Sequence, residues 1–79
     1  MADITDFEYA DISEAVEAVT GDSVVYTSID DEHAFWFVLG KDGSIDEEDP
    51  TYAEWLDDLY PDEVLEKVLA YLEANYEPN

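Results

Sequence analysis

Arginine is absent from this 79-residue chain, and Lys41 and Lys67 are the only lysines set against 23 Asp and Glu. The formal net charge is therefore -21 at pH 7. Phosphate groups are held by Lys and Arg, so this scarcity argues against direct binding to nucleic acid or to an anionic membrane surface. Cysteine is absent as well, which excludes disulfides and thiolate metal sites. No apolar run approaches the roughly 20 residues a membrane helix needs, and the acidic N-terminus does not read as a secretory leader. One histidine, His33, allows no two-histidine metal motif and reads as a structural or surface residue. No Gly-rich phosphate loop is present, and no nucleophile elbow surrounds any serine. A calcium loop fails too, because with Gly43 at its required glycine, Val38 and Gly40 fall where the first two ligands belong. No metal, cofactor or catalysis is expected.

High charge with few apolar residues is the signature of disorder. Here Leu, Ile, Val and Phe number 20, joined by six Tyr and two Trp, enough for a small core. The length admits one domain, spanning residues 1–79.

Tyr9, Ile12, Val16 and Val19 recur at helical spacing. With Asp11 and Glu14 as a capping pair and Gly21 as a stop, they predict a first helix over about residues 10–20, with an earlier turn from about residue 5. Residues 23–28 and 34–39 are rich in β-branched and aromatic side chains and read as strands, joined by the polar turn Asp30-Asp31-Glu32. Gly40 and Asp42-Gly43 predict a hairpin turn into a short third strand at about residues 44–46. Asp49-Pro50 reads as the start of a second helix carrying Tyr52, Leu56 and Leu59 on one face with Trp55 beside them. Pro61 ends it, and the stripe Val64, Leu65, Val68, Leu69 and Leu72 predicts a third helix over about residues 61–75. The expectation is an α+β domain: an N-terminal helix, a small three-stranded antiparallel meander, and two C-terminal helices packed on the sheet. Phe35-Trp36-Phe37 is apolar at odd and even positions alike. It reads as a central strand covered on both faces, or as a strand leaving Trp36 or a neighbour exposed to anchor a partner.

Charge patterning is the strongest functional signal. Asp46, Glu47, Glu48, Asp49, Glu54, Asp57, Asp58, Asp62 and Glu63 lie in one stretch with no basic residue among them. Asp30, Asp31 and Glu32 add to them from the strand turn. Salt-bridge networks need both signs, so pairing within the chain is not what these acids serve. Duplex DNA carries one charge per ~1.7 Å of axis, so 21 charges match roughly 36 Å of duplex. A folded domain of this size has a diameter near ~30 Å. Carboxylates three or four apart on a helix stand ~5–6 Å apart, and alternate strand positions ~6.5–7 Å. Such rows can meet the Lys and Arg that ordinarily hold phosphates, which makes these twelve acids the candidate partner-binding residues of a DNA mimic. Adaptation to concentrated salt is the bland alternative. It goes with diffuse acids and retained Arg, whereas here Arg is absent and the acids gather between residues 46 and 63. A basic protein partner with no link to DNA, such as a toxin or histone-like factor, is the third reading.

The segment Tyr52-Ala53-Glu54-Trp55-Leu56-Asp57-Asp58 resembles the Y-A-[DE]-W-L-D-D stretch of a small phage-encoded type I-F anti-CRISPR protein that acts as a DNA mimic. The Tyr26 to Asp31 segment, a strand leading into an Asp-Asp turn, is similar in character. So is the expected layout of a first helix, a small antiparallel sheet and acidic helices. The resemblance implies a non-enzymatic viral inhibitor working in the cytoplasm of a bacterial host. It implies docking on a crRNA-guided surveillance complex, over the Lys-rich surface where target DNA enters, with Glu54, Asp57 and Asp58 as the matching acids. DNA mimics that inhibit restriction enzymes or DNA glycosylases share the charge logic without this segment.

Self-repulsion at -21 reaches across the whole domain when the Debye length is ~30 Å, at about 0.01 M salt, and is screened at ~8 Å, about 0.15 M. The melting temperature should therefore rise between those two salt concentrations, with a cooperative transition already present at the higher one. A chain that folds only near molar salt in a circular-dichroism melt would instead be a salt-adapted protein.

Overall fold

The computed structural model describes residues 3–28, 32–46 and 48–78. Ile12, Ala15 and Val16 form the buried stripe of helix α1, Tyr9–Thr20. Gly21 terminates α1 in the left-handed conformation (φ 83°) and returns its N–H to the Glu17 carbonyl, a geometry that side chains with a Cβ resist. Glu8 occupies the N-cap position without a side-chain bond. The expected Asp11–Glu14 capping box is thus not formed. One forms upstream instead: Asp3 and Asp6 cap each other's backbone around a 3₁₀ turn at Ile4–Asp6.

Strands β1 (Val24–Thr27), β2 (Phe35–Val38) and β3 (Thr51–Ala53) make an antiparallel sheet in the order β1-β2-β3. The meander is as expected, but its third strand lies later in the chain. At residues 44–46, local side-chain bonds compete with strand pairing. Asp42 accepts from the Ser44 N–H and hydroxyl, and Asp46 Oδ1 accepts from the N–H groups of Glu48 and Asp49 (3.0 and 3.3 Å), turning the chain. Pro50 favours extended backbone before it, and Tyr52 then pairs opposite Phe37 while the small Ala53 sits opposite Trp36. The expected second helix is therefore replaced by β3, an extended Trp55 and a 3₁₀ turn at Leu56–Asp58. The β-branched and aromatic pair Thr51-Tyr52 takes the sheet's free edge, so tertiary pairing overrides a helical spacing.

Helix α2, Asp62–Asn75, follows Pro61 as its N-cap. It packs mainly against α1, and α1 in turn packs on β1. One C-terminal α-helix thus stands where two were expected. Phe7, Ile12, Val16, Val24, Trp36, Leu56, Val68 and Leu72 form one core that joins both helices to one sheet face. Pairing register puts Val25, Thr27, Phe35, Phe37 and Tyr52 on the other face, where Tyr52 stacks on Phe37 (5.4 Å) and meets Phe35 edge-on (5.5 Å). Trp36 and Phe37 are both buried, in keeping with a central strand covered on both sides. The exposed-anchor alternative is overturned: Trp36 and Phe37 are buried and Phe35 is half-buried, with Tyr9 of α1 and Tyr26 of β1 packed against the Trp36 ring.

Among the described residues no helix is long and apolar enough to cross a membrane. Leu72 is fully buried at the α1–α2 contact, so Leu72→Ala should cost about 2–5 kcal/mol. That is much of the stability of so small a domain, and the loss is read from the urea midpoint at constant slope.

Candidate functional site

Every described Asp and Glu is exposed except the half-buried Asp11. Burying an ionised carboxylate without a cation is costly, and two lysines cannot serve 23 acids, so the fold keeps them at the surface. Of the candidate partner-binding acids, Glu32, Asp46, Glu48, Asp49, Glu54, Asp57, Asp58, Asp62 and Glu63 are exposed. Asp30, Asp31 and Glu47 lie outside the described residues. None of the three strands carries an acid. The charge rows expected along strands are therefore absent from the sheet, and the exposed acids stand on helices, 3₁₀ turns and connections. Asp46 is committed to its turn, accepting the two backbone bonds described above.

The structure gathers Glu54, Asp57 and Asp62 at one place, together with Asp3 and Glu66, around an open groove of about 790 Å³. Asp62 and Glu66 are one turn apart on α2, so their Cβ atoms stand ~5–6 Å apart. Four aromatic side chains line the same groove: Tyr9, Tyr26, Trp36 and Trp55. Tyr9 stacks on Tyr26 with ring centroids 4.4 Å apart, and Tyr26 leans on Trp36 at 5.1 Å. Trp36 is 5% exposed, whereas Tyr9 and Trp55 are 58% and 57% exposed. Tyr9 and Tyr26 are not apparent as site residues in the sequence, and Trp36, weighed there as an exposed anchor, enters the groove as a buried wall. Tyr9 sits on the apolar stripe of α1 and reads as core, and the stacking of a helix tyrosine on a strand tyrosine is a tertiary event.

Two tyrosine hydroxyls bind carboxylates across the helical layer. Tyr60 donates to Asp22 Oδ2 (3.2 Å), and Tyr76 donates to Glu14 Oε2. The half-buried Tyr60 phenol is pushed up to about 12, first by loss of solvent and then by the negative charge of Asp22. Tyr76 is also pushed up to about 12, chiefly by its hydrogen bond to Glu14. The hydrogen bonds from Ser44 hold Asp42 below the usual carboxylate range. Among the described residues no group of three or more His, Asp or Glu converges on a metal-sized site.

Comparison with known proteins finds no matching family model, no matching characterised protein and no matching solved structure. The functional reading therefore stands on the site's chemistry.

Both raised phenols favour the folded state while protonated. Unfolded tyrosine loses its proton near pH 10 and the folded pair near about 12, so this stabilisation is complete below pH 10 and is lost as pH rises towards 12. Tyr60→Phe and Tyr76→Phe should each flatten the fall of the urea midpoint over that window.

Proposed function

We propose that this protein is a non-catalytic inhibitor that imitates duplex DNA and occupies the basic DNA-binding surface of a partner, most directly that of a crRNA-guided surveillance complex. One observation carries the reading: the described acids, all but one of them exposed, form a charge display that two lysines cannot balance, on a body measuring 37 × 25 × 19 Å. Its long axis is close to the roughly 36 Å of duplex that carries 21 charges. A cationic cleft built to hold phosphates meets the same charge over the same length and releases the same kind of counterions. Glu54, Asp57, Asp58, Asp62 and Glu63 are exposed along one continuous stretch of chain, and that stretch begins within the seven-residue segment that resembles the anti-CRISPR protein, sharing Glu54 to Asp58 with it. The choice of a surveillance complex over another DNA-binding enzyme rests on that resemblance.

The test is competition. The purified chain should displace duplex DNA from the surveillance complex, and the displacement should weaken steeply as salt rises. Reversing Asp57 and Asp58 to Lys should weaken binding roughly tenfold or more, since a like charge facing a cation site both loses attraction and repels. Reversing Glu17 and Glu73, exposed on α1 and α2, should change it by less than about threefold. Glu14 is unsuitable as a control because it holds Tyr76. Equal losses from the two pairs would leave diffuse charge attraction as the whole effect. Displacement of DNA from a restriction enzyme or DNA glycosylase, with none from the surveillance complex, would move the target and keep the mimicry.

A further inference from the structure

We propose that the aromatic groove is the seat for an arginine side chain presented by the basic partner. Stacking on aromatic rings would add to the attraction between charges a contact that charge imitation alone does not provide.

The groove is built in advance. Trp36 is fixed in the core, Tyr26 leans on it at 5.1 Å, Tyr9 meets it edge-on at 5.9 Å, and Tyr9 lies against Tyr26 at 4.4 Å. One face of Tyr9 is thereby occupied, while more than half of the side chain stays open to solvent. Trp55, held in extended backbone ahead of the 3₁₀ turn (φ -127°, ψ 147°), is likewise more than half exposed and lines the same groove. Ile4, Leu65 and Leu69 supply apolar walls, and Glu54, Asp57, Asp62 and Glu66 supply carboxylates.

These features select one ligand chemistry. An anion is repelled by the carboxylates. An apolar ligand fits the walls but leaves the acids unused. A second copy of the chain brings another -21, and like charge opposes its docking. A guanidinium uses everything present. Its planar face stacks on aromatic rings, its fork of N–H donors suits carboxylates, and its methylene stem lies along apolar surface. A lysine ammonium, compact and strongly hydrated, gains less from stacking. Ordering cost is low because Trp36 and the sheet already hold the wall.

The proposal rests on the preceding section only in taking the partner to be basic. The probes are a short peptide carrying two arginines in a neutral background, its lysine counterpart and its leucine counterpart. Each is titrated into the full chain while NMR follows the indole N–H of Trp55 and the backbone of Tyr9 and Asp62. The arginine peptide should shift these signals saturably and bind more tightly than the lysine peptide. Trp55→Ala and Tyr9→Ala, at exposed positions, should each weaken it roughly two- to thirtyfold, while Glu17→Gln leaves it within twofold. Unchanged affinity in both aromatic variants, with arginine and lysine peptides equal, would overturn the assignment in favour of diffuse charge. So would tighter binding of the leucine peptide, or groove shifts that grow with protein concentration alone, which would mark a second copy. These outcomes are separable from the DNA competition. The peptide can bind the groove where no DNA is displaced, and DNA can be displaced where no peptide binds.

Discussion

Mutual repulsion among carboxylates, with almost no cation to relieve it, is the constraint under which every contact in this fold is made. Attraction between α1 and α2 has to come from neutral surfaces, and it does. Ala15 and Val16 of α1 and Val68 and Leu72 of α2 are all fully buried in one core where the two helices pack together. Neither helix has a basic residue in its last turn, so the C-terminal ends of both dipoles go without the usual compensating charge. Tyrosine takes over part of the role a cation would play. Tyr60 and Tyr76 each offer a neutral donor to an acid on or just beyond the other helix, which fastens the pair without adding or needing charge.

Aromatic packing links this core to the surface. Trp36 is the hinge of the arrangement: it belongs to the central strand, it is buried under α1, and it supports Tyr26 and through it Tyr9. The two faces of the sheet therefore have different characters. One is consumed by the helical layer and ends in the acidic aromatic groove, and the other carries the Phe35, Phe37 and Tyr52 cluster. With no acid on any strand, the sheet acts as a scaffold and the charge is displayed by what it connects.

Two physical effects divide the proposed work. A dense acidic surface speeds encounter with a basic cleft and supplies attraction that is long in range and poor in selectivity. An aromatic slot acts only at contact, and there it separates one cation from another by shape and stacking. A protein that had the first alone would adhere to any basic surface. The second is a means of choosing one.

The two main helices and the first two strands were legible in the chain, because each rests on local evidence. The stripe from Val64 to Leu72 and the glycine at 21 mark α2 and the end of α1, and β-branched and aromatic runs mark β1 and β2. Exposure of the acids was legible too, since without cations they have nowhere else to go. The segment from Asp49 to Leu59 carries a helical spacing and yet forms β3 and a 3₁₀ turn. Thr51 and Tyr52 gain more by pairing with the edge of β2, and that gain is invisible until the edge exists. The groove was hidden for the same reason. Tyr9, Tyr26, Trp36 and Trp55 are far apart in the chain, and only the packing of α1 over the sheet stacks three of them and brings the acids of the last turn and α2 around them. Composition alone determined that this protein presents negative charge to whatever it meets. Tertiary structure decided where that charge is joined to an aromatic surface, because stacking and convergence depend on distances between residues that the order of the chain does not set.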